Sequence, residues 1–161
     1  MAPRDTEPAL AVAYVGLGAN LGDAAATVQA AMGNLARLPN TALLRRSSLW
    51  RSAPVGAQGP DFINAVVALS TSLSAPELLR ALQALENQAG RVRPYPNAPR
   101  TLDLDLLLYG DAQIDSPALT LPHPRMAQRA FVLRPLAEVA PERVTPAALA
   151  AVVGQRLERL P

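Results

Sequence analysis

Two aspartates stand two residues apart in the segment RTLDLDLLLYG, residues 100–110. The leucines around them indicate a buried strand, and strand side chains alternate between faces, so Asp103 and Asp105 share one face. Two carboxylates on a partly buried surface repel each other and lose hydration. A divalent cation relieves both costs, and Mg2+ typically binds one or two carboxylates together with substrate phosphates. The pair therefore predicts a phosphate-handling enzyme with Asp103 and Asp105 as metal ligands.

The same motif has a simpler interpretation, because Asp-x-Asp on a half-exposed strand is often only a solvated face and short motifs have many false positives. Three arginines lie around the start of this strand, at Arg91, Arg93 and Arg100. Their presence leaves two interpretations of the aspartate pair open. The three arginines would bind a polyphosphate that lies between them and a metal ion. Otherwise they simply neutralise Asp103 and Asp105.

The basic residues set the kind of phosphate site that is available. The chain has no lysine, so all 15 basic residues are arginines, and a P-loop, which needs its lysine, is excluded. Arginine offers a planar fork that suits bidentate phosphate contacts. His123, the single histidine, lies between two prolines with Arg125 and Arg129 close in sequence. Neutral imidazole can donate to a phosphate or bind a metal, although a lone histidine is more often a packed or surface residue.

Aromatic residues are scarce, at 4% of the chain. This argues against a nucleic-acid-binding sheet that stacks bases on several strand aromatics. Asn64 shares a strand face with Phe62, two residues before it, and a flat ring beside an amide suits a flat heterocycle. Phe62 and Phe131 equally fit ordinary core positions.

The length of 161 residues indicates one domain with a sizeable core. We expect residues 1–9 to be a disordered lead-in without a secretory signal, and residues 10–161 to form a single catalytic domain. No apolar run is long enough to cross a bilayer. The absence of cysteine excludes disulfides and thiolate metal sites and makes the cytoplasm the default location. The net charge of +2 does not by itself imply a nucleic-acid partner.

The hydrophobic patterns predict an order of β α β β α β followed by a helical tail. Strands are predicted at residues 10–18, 41–51, 62–71 and 100–110, with a hairpin in 111–122. Helices are predicted at residues 24–37, 75–89, 126–139 and 147–160, and Pro135 should break or kink the third helix. Gly- and Pro-rich stretches at residues 52–60 and 91–99 are predicted loops. This order indicates an α+β, ferredoxin-like sandwich, an antiparallel sheet with packed helices and a helical C-terminal tail.

The motifs together resemble the 6-hydroxymethyl-7,8-dihydropterin pyrophosphokinase family. The resemblance rests on AYVGLGANLGD at 13–23, WRSAPVG at 50–56, PDFINAVVAL at 60–69, GRVR at 90–93, PRTLDLDLLLYGD at 99–111 and LPHPRMAQRAFVLRPLAEVAPE at 121–142. It covers about residues 12–145, and the Asp-x-Asp block with its PHPR partner is its most specific part. The chain departs from the family at Pro96, Asn97 and Ala98, where many members have Arg-Trp-Gly.

The resemblance implies transfer of diphosphate from ATP to the hydroxymethyl group of the pterin, with release of AMP, in folate biosynthesis. It implies that Asp103 and Asp105 bind two Mg2+ ions together with ATP, with Arg91 and Arg100 as catalytic cations. The implied ligands of ATP are Arg91, Arg93, Arg100, His123, Arg129, Leu79, Leu106, Leu119, Thr120 and Glu86. The implied pterin-binding residues are Ser52, Val55, Phe62, Asn64 and Phe131.

Two other functions remain open on the residues alone. Another two-metal enzyme on a ferredoxin-like sheet, such as a small nucleotidyl transferase, shares Asp-x-Asp but has no use for Phe62, Asn64 and Phe131 together. A non-catalytic RNA-binding or regulatory domain leaves the aspartate pair unexplained. The expected partners are ATP and a reduced pterin, with no nucleic acid and no membrane, and the protein is expected to be a monomer.

Overall fold

The computed structural model describes residues 9–54, 59–90 and 102–161. Its elements follow the order β1 (Ala11–Ala19), α1 (Ala24–Ala36), β2 (Thr41–Arg46), β3 (Trp50–Ser52), β4 (Phe62–Thr71), α2 (Ala75–Ala89), β5 (Asp103–Tyr109), β6 (Ile114–Asp115), β7 (Thr120–Leu121), α3 (Ala130–Val139), α4 (Pro146–Ala151) and β8 (Leu157–Arg159). Short 3-10 turns at Met126–Gln128 and Pro141–Arg143 flank α3. The expected mixed α+β class with an antiparallel sheet is confirmed.

The main sheet has six strands in the order β5-β1-β4-β3-β8, and β2 pairs with β4 beside β3. Every pairing in this sheet is antiparallel. Strands β6 and β7 form the predicted hairpin as a separate pair. The central strands β1 and β4 therefore have hydrogen-bonded neighbours at both edges. The near-continuous burial of residues 63–69 requires in addition that both faces of the sheet are covered.

Helices cover both faces of the sheet. The side chains of Val15, Leu17, Val67 and Leu104 point to one face and pack with buried residues of α1 and α2. Those of Tyr14, Val66, Ala68 and Leu107 point to the other face and pack with buried residues of α3. Because the side-chain period of a strand is two, the same strands supply two separate cores. Among the described residues, no helix is both long and apolar enough to cross a membrane.

Local sequence signals explain where the first two helices begin. Asp23 accepts a hydrogen bond from the backbone of Ala26 at 3.1 Å and so caps α1. Ser74 and Glu77 form a capping box at the start of α2. Gly90 directly follows α2 as its C-cap, and its backbone N–H donates to the carbonyl of Glu86 at 2.9 Å.

Three predicted boundaries are wrong. The single strand expected at 41–51 is divided into β2 and β3, because Ser47 turns its backbone and hydroxyl to Val66 of β4 at 2.9 Å each and takes the place of regular pairing. The helix expected at 126–139 is interrupted at Arg129, whose φ of −126° and ψ of 111° are extended, while Pro135 lies inside α3. The expected break at Pro135 does not occur, since α3 continues to Val139.

The expected helical C-terminal tail is also wrong. Only Pro146–Ala151 is helical, and Leu157–Arg159 forms the strand β8 against β3. Thr145 caps α4 by accepting a hydrogen bond from the backbone N–H of Ala148 at 3.1 Å. The edge of β3 offers unpaired backbone groups, and pairing them outweighs the helix propensity of the tail.

Candidate active site

Strand β5 places Asp103 and Asp105 on the face of the sheet that α3 covers. Asp103 is paired with Gly18 and Asp105 with Gly16 of β1. The intervening Leu104 and the following Leu106 point to the opposite face and are buried there. Both aspartates are half-buried and line two adjoining cavities. The expectation that the two carboxylates share one partly buried face is confirmed.

Glycines form the floor between the aspartates and the next strand. Across the sheet, Asp103 is paired with Gly18, and Gly18 is paired with Asn64 of β4. Two strand spacings of about 4.8 Å separate Asp103 and Asn64 by roughly 10 Å. A Cβ on Gly18 would lie 3.4 Å from Oδ1 of Asn64, within the space above the floor. Because Gly16 and Gly18 carry no side chains, this part of β1 forms a flat surface, the glycine shelf, on which a flat molecule can lie.

Asn64 and Ser52 form the polar end of this shelf. Both are buried, and Nδ2 of Asn64 donates to Oγ of Ser52 at 2.8 Å and to the carbonyl of Trp50 at 3.5 Å. These acceptors fix the orientation of the amide, so its Oδ1 is the atom turned toward Gly18 and the shelf. A heterocycle that presents N–H groups to this end finds a fixed acceptor there.

The two phenylalanines both line the apolar cavity. Phe62 lies on β4 opposite Ser52, and Phe131 lies in the first turn of α3. Both are only half-buried, and both contribute to the same cavity. Phe131 also packs against the core that α3 covers, so for this residue the cavity lining and the core packing coexist.

Arg129 links the aromatic region to the carboxylates. Its guanidinium carbon lies 5.4 Å from the ring centroid of Phe131, a cation–π distance. The residue lines both cavities. The Arg129 side chain would therefore contact an anion bound beside the aspartates, and it would also contact a ring stacked on Phe131.

His123 is held by its backbone against β5. Its N–H donates to the carbonyl of Leu107 at 2.9 Å, and its Nδ1 accepts from the backbone N–H of Arg125 at 3.2 Å. Burial lowers the pKa of His123 below its ordinary value of 6.5; Asp105 opposes this shift, while Arg129 and Arg125 add to it. The imidazole is therefore neutral at pH 7 with its proton on Nε2, which makes Nε2 a hydrogen-bond donor.

The cavities have complementary chemistry. The first has a volume of about 320 Å³ and a mainly apolar lining that includes Phe62, Phe131 and Val132. The second has a volume of about 490 Å³ and contains His123, Arg125 and Arg129. Both include Asp103 and Asp105, so an apolar ring site and an anion site meet at the two carboxylates.

The residues expected around adenine lie at the other side of β5. Leu106 points into the core between the sheet and α1 and α2, and Leu119 packs against that core. Leu79 and Thr120 are half-buried, on α2 and β7. Glu86 accepts from the backbone N–H of Leu104 at 2.8 Å, so its carboxylate ties α2 to β5. None of these five residues lines the two cavities.

Four of the residues predicted for the site, Val55, Arg91, Arg93 and Arg100, lie outside the described residues. Among those that are described, no group of three or more His, Asp or Glu side chains is gathered as a metal site. The structure also adds residues that the sequence did not single out, namely Gly16, Gly18, Pro54 and Val132. The alternation GLG inside a strand is the signal for the first two, since glycine in a strand interior often marks a close approach.

The family described as 7,8-dihydro-6-hydroxymethylpterin-pyrophosphokinase matches residues 14–141. The protein is 49% identical over 134 residues to a Synechocystis sp. protein called 2-amino-4-hydroxy-6-hydroxymethyldihydropteridine pyrophosphokinase, covering 83% of this chain and 69% of that one. A Pseudomonas aeruginosa protein of the same name is 48% identical over 155 residues, covering 92% of this chain and 96% of that one.

Solved structures resemble the fold at low sequence identity. A crystal structure of Plasmodium falciparum HPPK-DHPS has a TM-score of 0.65 and 14% identity, and the match covers 86% of this chain but only 43% of that chain. The likeness at this identity concerns the fold alone.

Proposed function

Because this chain belongs to the 7,8-dihydro-6-hydroxymethylpterin-pyrophosphokinase family, we propose that it transfers a diphosphoryl group from ATP to 6-hydroxymethyl-7,8-dihydropterin in folate biosynthesis, releasing AMP. The observation that carries the proposal is the meeting of two cavities at Asp103 and Asp105. One suits a flat heterocycle and the other suits a polyphosphate, so the reacting groups of both substrates would meet at the carboxylates.

The pterin would lie on the glycine shelf with its ring between Phe62 and Phe131. Flat rings on both sides provide stacking, and the apolar lining excludes water. Oδ1 of Asn64, oriented by Ser52, would accept from an N–H group of the pterin. The hydroxymethyl group would then extend from the shelf toward the aspartates, since Asn64 and Asp103 stand at opposite sides of Gly18.

The triphosphate would occupy the cavity beside His123. Nε2 of His123 and the guanidinium groups of Arg125 and Arg129 would donate to phosphate oxygens there. Arg91, Arg93 and Arg100 are the further arginines that the sequence places next to β5. These donors would stabilise the negative charge that develops on the transferring group. Such stabilisation is the main requirement of phosphoryl-type transfer.

Asp103 and Asp105 fit Mg2+ through the nature of the donor set. They are two half-buried carboxylates on one strand face, and Mg2+ usually takes one or two carboxylates and completes its octahedron with phosphate oxygens and water. Because only two carboxylates are available, ATP and water would supply most ligands of two Mg2+ ions, so the ions would bind together with ATP. When bound, Mg2+ would neutralise phosphate charge and orient the attacking hydroxyl.

The proposed reaction is a direct displacement. The pterin hydroxyl oxygen forms a bond to the β-phosphorus of ATP, and the bond from this phosphorus to the oxygen bridging the α- and β-phosphates breaks. The electron pair of that bond leaves with AMP, and the hydroxyl proton is released. No covalent intermediate on the protein is needed, so the work of the protein is positioning and charge stabilisation.

The nucleotide would pass around the edge of the sheet. Strand β5 is the terminal strand of the described sheet on this side. The aspartates face α3, whereas Leu106 faces α1 and α2. Adenine among Leu79, Leu106, Leu119 and Thr120 would thus lie on one side of β5 and the phosphates on the other. Glu86 would support this site indirectly by holding β5 to α2.

We also infer that the central sheet is ferredoxin-like. The support is the spatial order β5-β1-β4 followed by β2 and β3 together, with α1 and α2 packed on the same face. This is the order expected of a split βαβ unit repeated once. The single domain at residues 10–161, the monomeric state and the cytoplasmic location remain predictions from the sequence.

The products of the reaction test this function. The protein is incubated with ATP, Mg2+ and 6-hydroxymethyl-7,8-dihydropterin, and nucleotide products are separated by chromatography. AMP and pterin diphosphate in equal amounts are expected, with both formed far more slowly by Asp105→Asn. Free pyrophosphate with a nucleotidylated product would favour a nucleotidyl transferase, and ADP would favour a simple kinase. Tight binding of RNA without turnover would favour the non-catalytic alternative.

A further inference from the structure

Gln155 bridges two backbone groups at the start of α3. Its Oε1 accepts from the backbone N–H of Ala130 at 2.8 Å, and its Nε2 donates to the carbonyl of Gln128 at 2.7 Å. A backbone N–H needs an oxygen and a backbone carbonyl needs an N–H, so the orientation of this amide is set by its partners. Arg129 lies between the two bonded residues, and Phe131 follows directly after them.

The junction needs this partner because it has no cap of its own. Arg129 is the N-cap residue of α3, and its side chain makes no capping hydrogen bond. The first N–H groups of a helix lack partners inside the helix. Gln155 supplies one from 25 residues away in the chain. The extended backbone at Arg129 is thus fixed from both sides by one side chain.

The segment that carries Gln155 is itself anchored at both ends. Val152, three residues before it, is buried at 4% exposure in the core beneath α3. Leu157, two residues after it, is paired with Ser52 in the contact between β8 and β3. Residues 155–157 therefore connect the wall of the cavity that carries Ser52 with the wall that carries Arg129 and Phe131.

We propose that Gln155 is a positioning residue of the active site, which holds the separation and orientation of these two walls. It contacts neither substrate. It acts through the backbone of residues 128–130, which presents Arg129 to the phosphates and Phe131 to the pterin. The proposal rests on the roles given above to Arg129 and Phe131. The segment lies beyond residue 141, where the match to the family ends.

The test compares Gln155→Ala with Gln128→Ala by steady-state kinetics, well below the melting temperature of either variant. Gln128→Ala removes a side chain of the same type from the bonded segment. Gln128 is exposed, and the substitution keeps its backbone carbonyl, to which Gln155 donates. Gln155→Ala is expected to lower kcat/KM for the pterin by about tenfold, with changes in both kcat and KM. Gln128→Ala should stay within about twofold of the original protein.

Gln155→Glu separates positioning from stability. A carboxylate still accepts from Ala130 and favours the helix N-terminus, but it cannot donate to Gln128. We expect it to recover part of the lost kcat/KM. Amide exchange at Ala130 should be faster in Gln155→Ala than in Gln128→Ala. If Gln155→Ala does not fold, Gln155→Glu still tests the proposal, because this variant loses the bond to the carbonyl of Gln128, and unchanged kcat/KM for the pterin would overturn the proposal.

Parallel variants keep this test distinct from the test of the function. Arg129→Ala and Phe131→Ala are assayed beside the Gln155 variants. Normal kinetics in Gln155→Ala, with strong losses in both other variants, would sink the positioning role and leave the site intact. Normal kinetics in all three would contradict the proposed site itself.

Discussion

Asp103 and Asp105 are the residues on which the proposed chemistry depends most. Asp105→Asn keeps the shape of the side chain but removes a charge that Mg2+ requires, so turnover should fall by roughly a hundredfold to a thousandfold. Without metal, the melting temperature should stay equal or rise, because repulsion from Asp103 is relieved. Asp115→Asn, at an exposed position of β6, is the matched control. Near-normal Mg2+-dependent turnover in Asp105→Asn would rule out the metal assignment.

Phe131 should contribute to pterin binding and much less to ATP binding. Its half-buried ring lines the apolar cavity but not the one that contains His123. Phe131→Ala should weaken pterin binding by about 1–3 kcal/mol, taking base–aromatic stacking as a guide. Calorimetry with each ligand separates the two affinities. Equal losses for both ligands, or a collapsed melting temperature, would favour a purely structural role.

His123 gives the free protein a specific pH dependence. Its pKa is lowered in the folded state, mainly by burial, from an ordinary value of 6.5. Below pH 6.5 the unfolded chain takes up a proton that the folded protein resists, so the free energy of unfolding falls as the pH is lowered toward the folded pKa. Above pH 6.5 both states are neutral and the effect vanishes.

Urea unfolding at pH 7.5 and pH 5.5, with a chelator present, checks this dependence. His123→Asn should lose less stability than the original protein between the two pH values. An identical loss in both proteins would mean that His123 does not contribute the titration.

At the scale of elements, α3 is held at its C-terminal end by Glu138. This carboxylate accepts from Nε1 of Trp50 at 2.7 Å, and from the backbone and hydroxyl of Ser48 at 3.1 and 2.8 Å. Arg134 of the same helix lies 5.7 Å from the ring of Trp50. The contacts connect α3 to β3, which ends at Ser52.

Removing this carboxylate should loosen the helix from the sheet. Glu138→Ala leaves the N–H of the buried Trp50 without its partner, so we expect a loss of about 2 kcal/mol in the free energy of unfolding. Trp50 is the only tryptophan, so its fluorescence follows the change directly. Glu142→Ala, at an exposed glutamate of the next turn, is the control. Equal stability of the two variants would show that Glu138 does not anchor α3.

The elements show which structural signals are local. Alternation placed Asp103 and Asp105 on one face, and the capping box at Ser74 placed the start of α2, because both patterns depend on neighbours in the chain. The division of β2 from β3 depends on Ser47 meeting Val66, and β8 depends on an open edge of β3. Neither contact leaves a trace in the local sequence, so tertiary pairing overrode local propensity there.

For the whole molecule, the site lies between the start of α3 and the face of the sheet on which β4, β1 and β5 stand side by side. Phe62, Asn64 and the aspartates could be assigned to strand faces from their spacing alone. Their gathering around Gly16 and Gly18 depends on β1 lying between β4 and β5. Arg129 and Phe131 reach this place only through the path of α3, and Gln155 only through β8. The resemblance to a family implied the grouping of Phe62, Asn64, Arg129 and Phe131 with the aspartates, whereas the places of Gly16, Gly18 and Gln155 came only from the structure.

The fate of each phosphate of ATP tests the central claim most directly. ATP labelled with 32P at the β-position, and separately at the α-position, is incubated with Mg2+, 6-hydroxymethyl-7,8-dihydropterin and the protein. The β-label is expected in the pterin product and the α-label in AMP, because the diphosphoryl group is transferred intact. The α-label in the pterin product, or the β-label in ADP, would contradict the account.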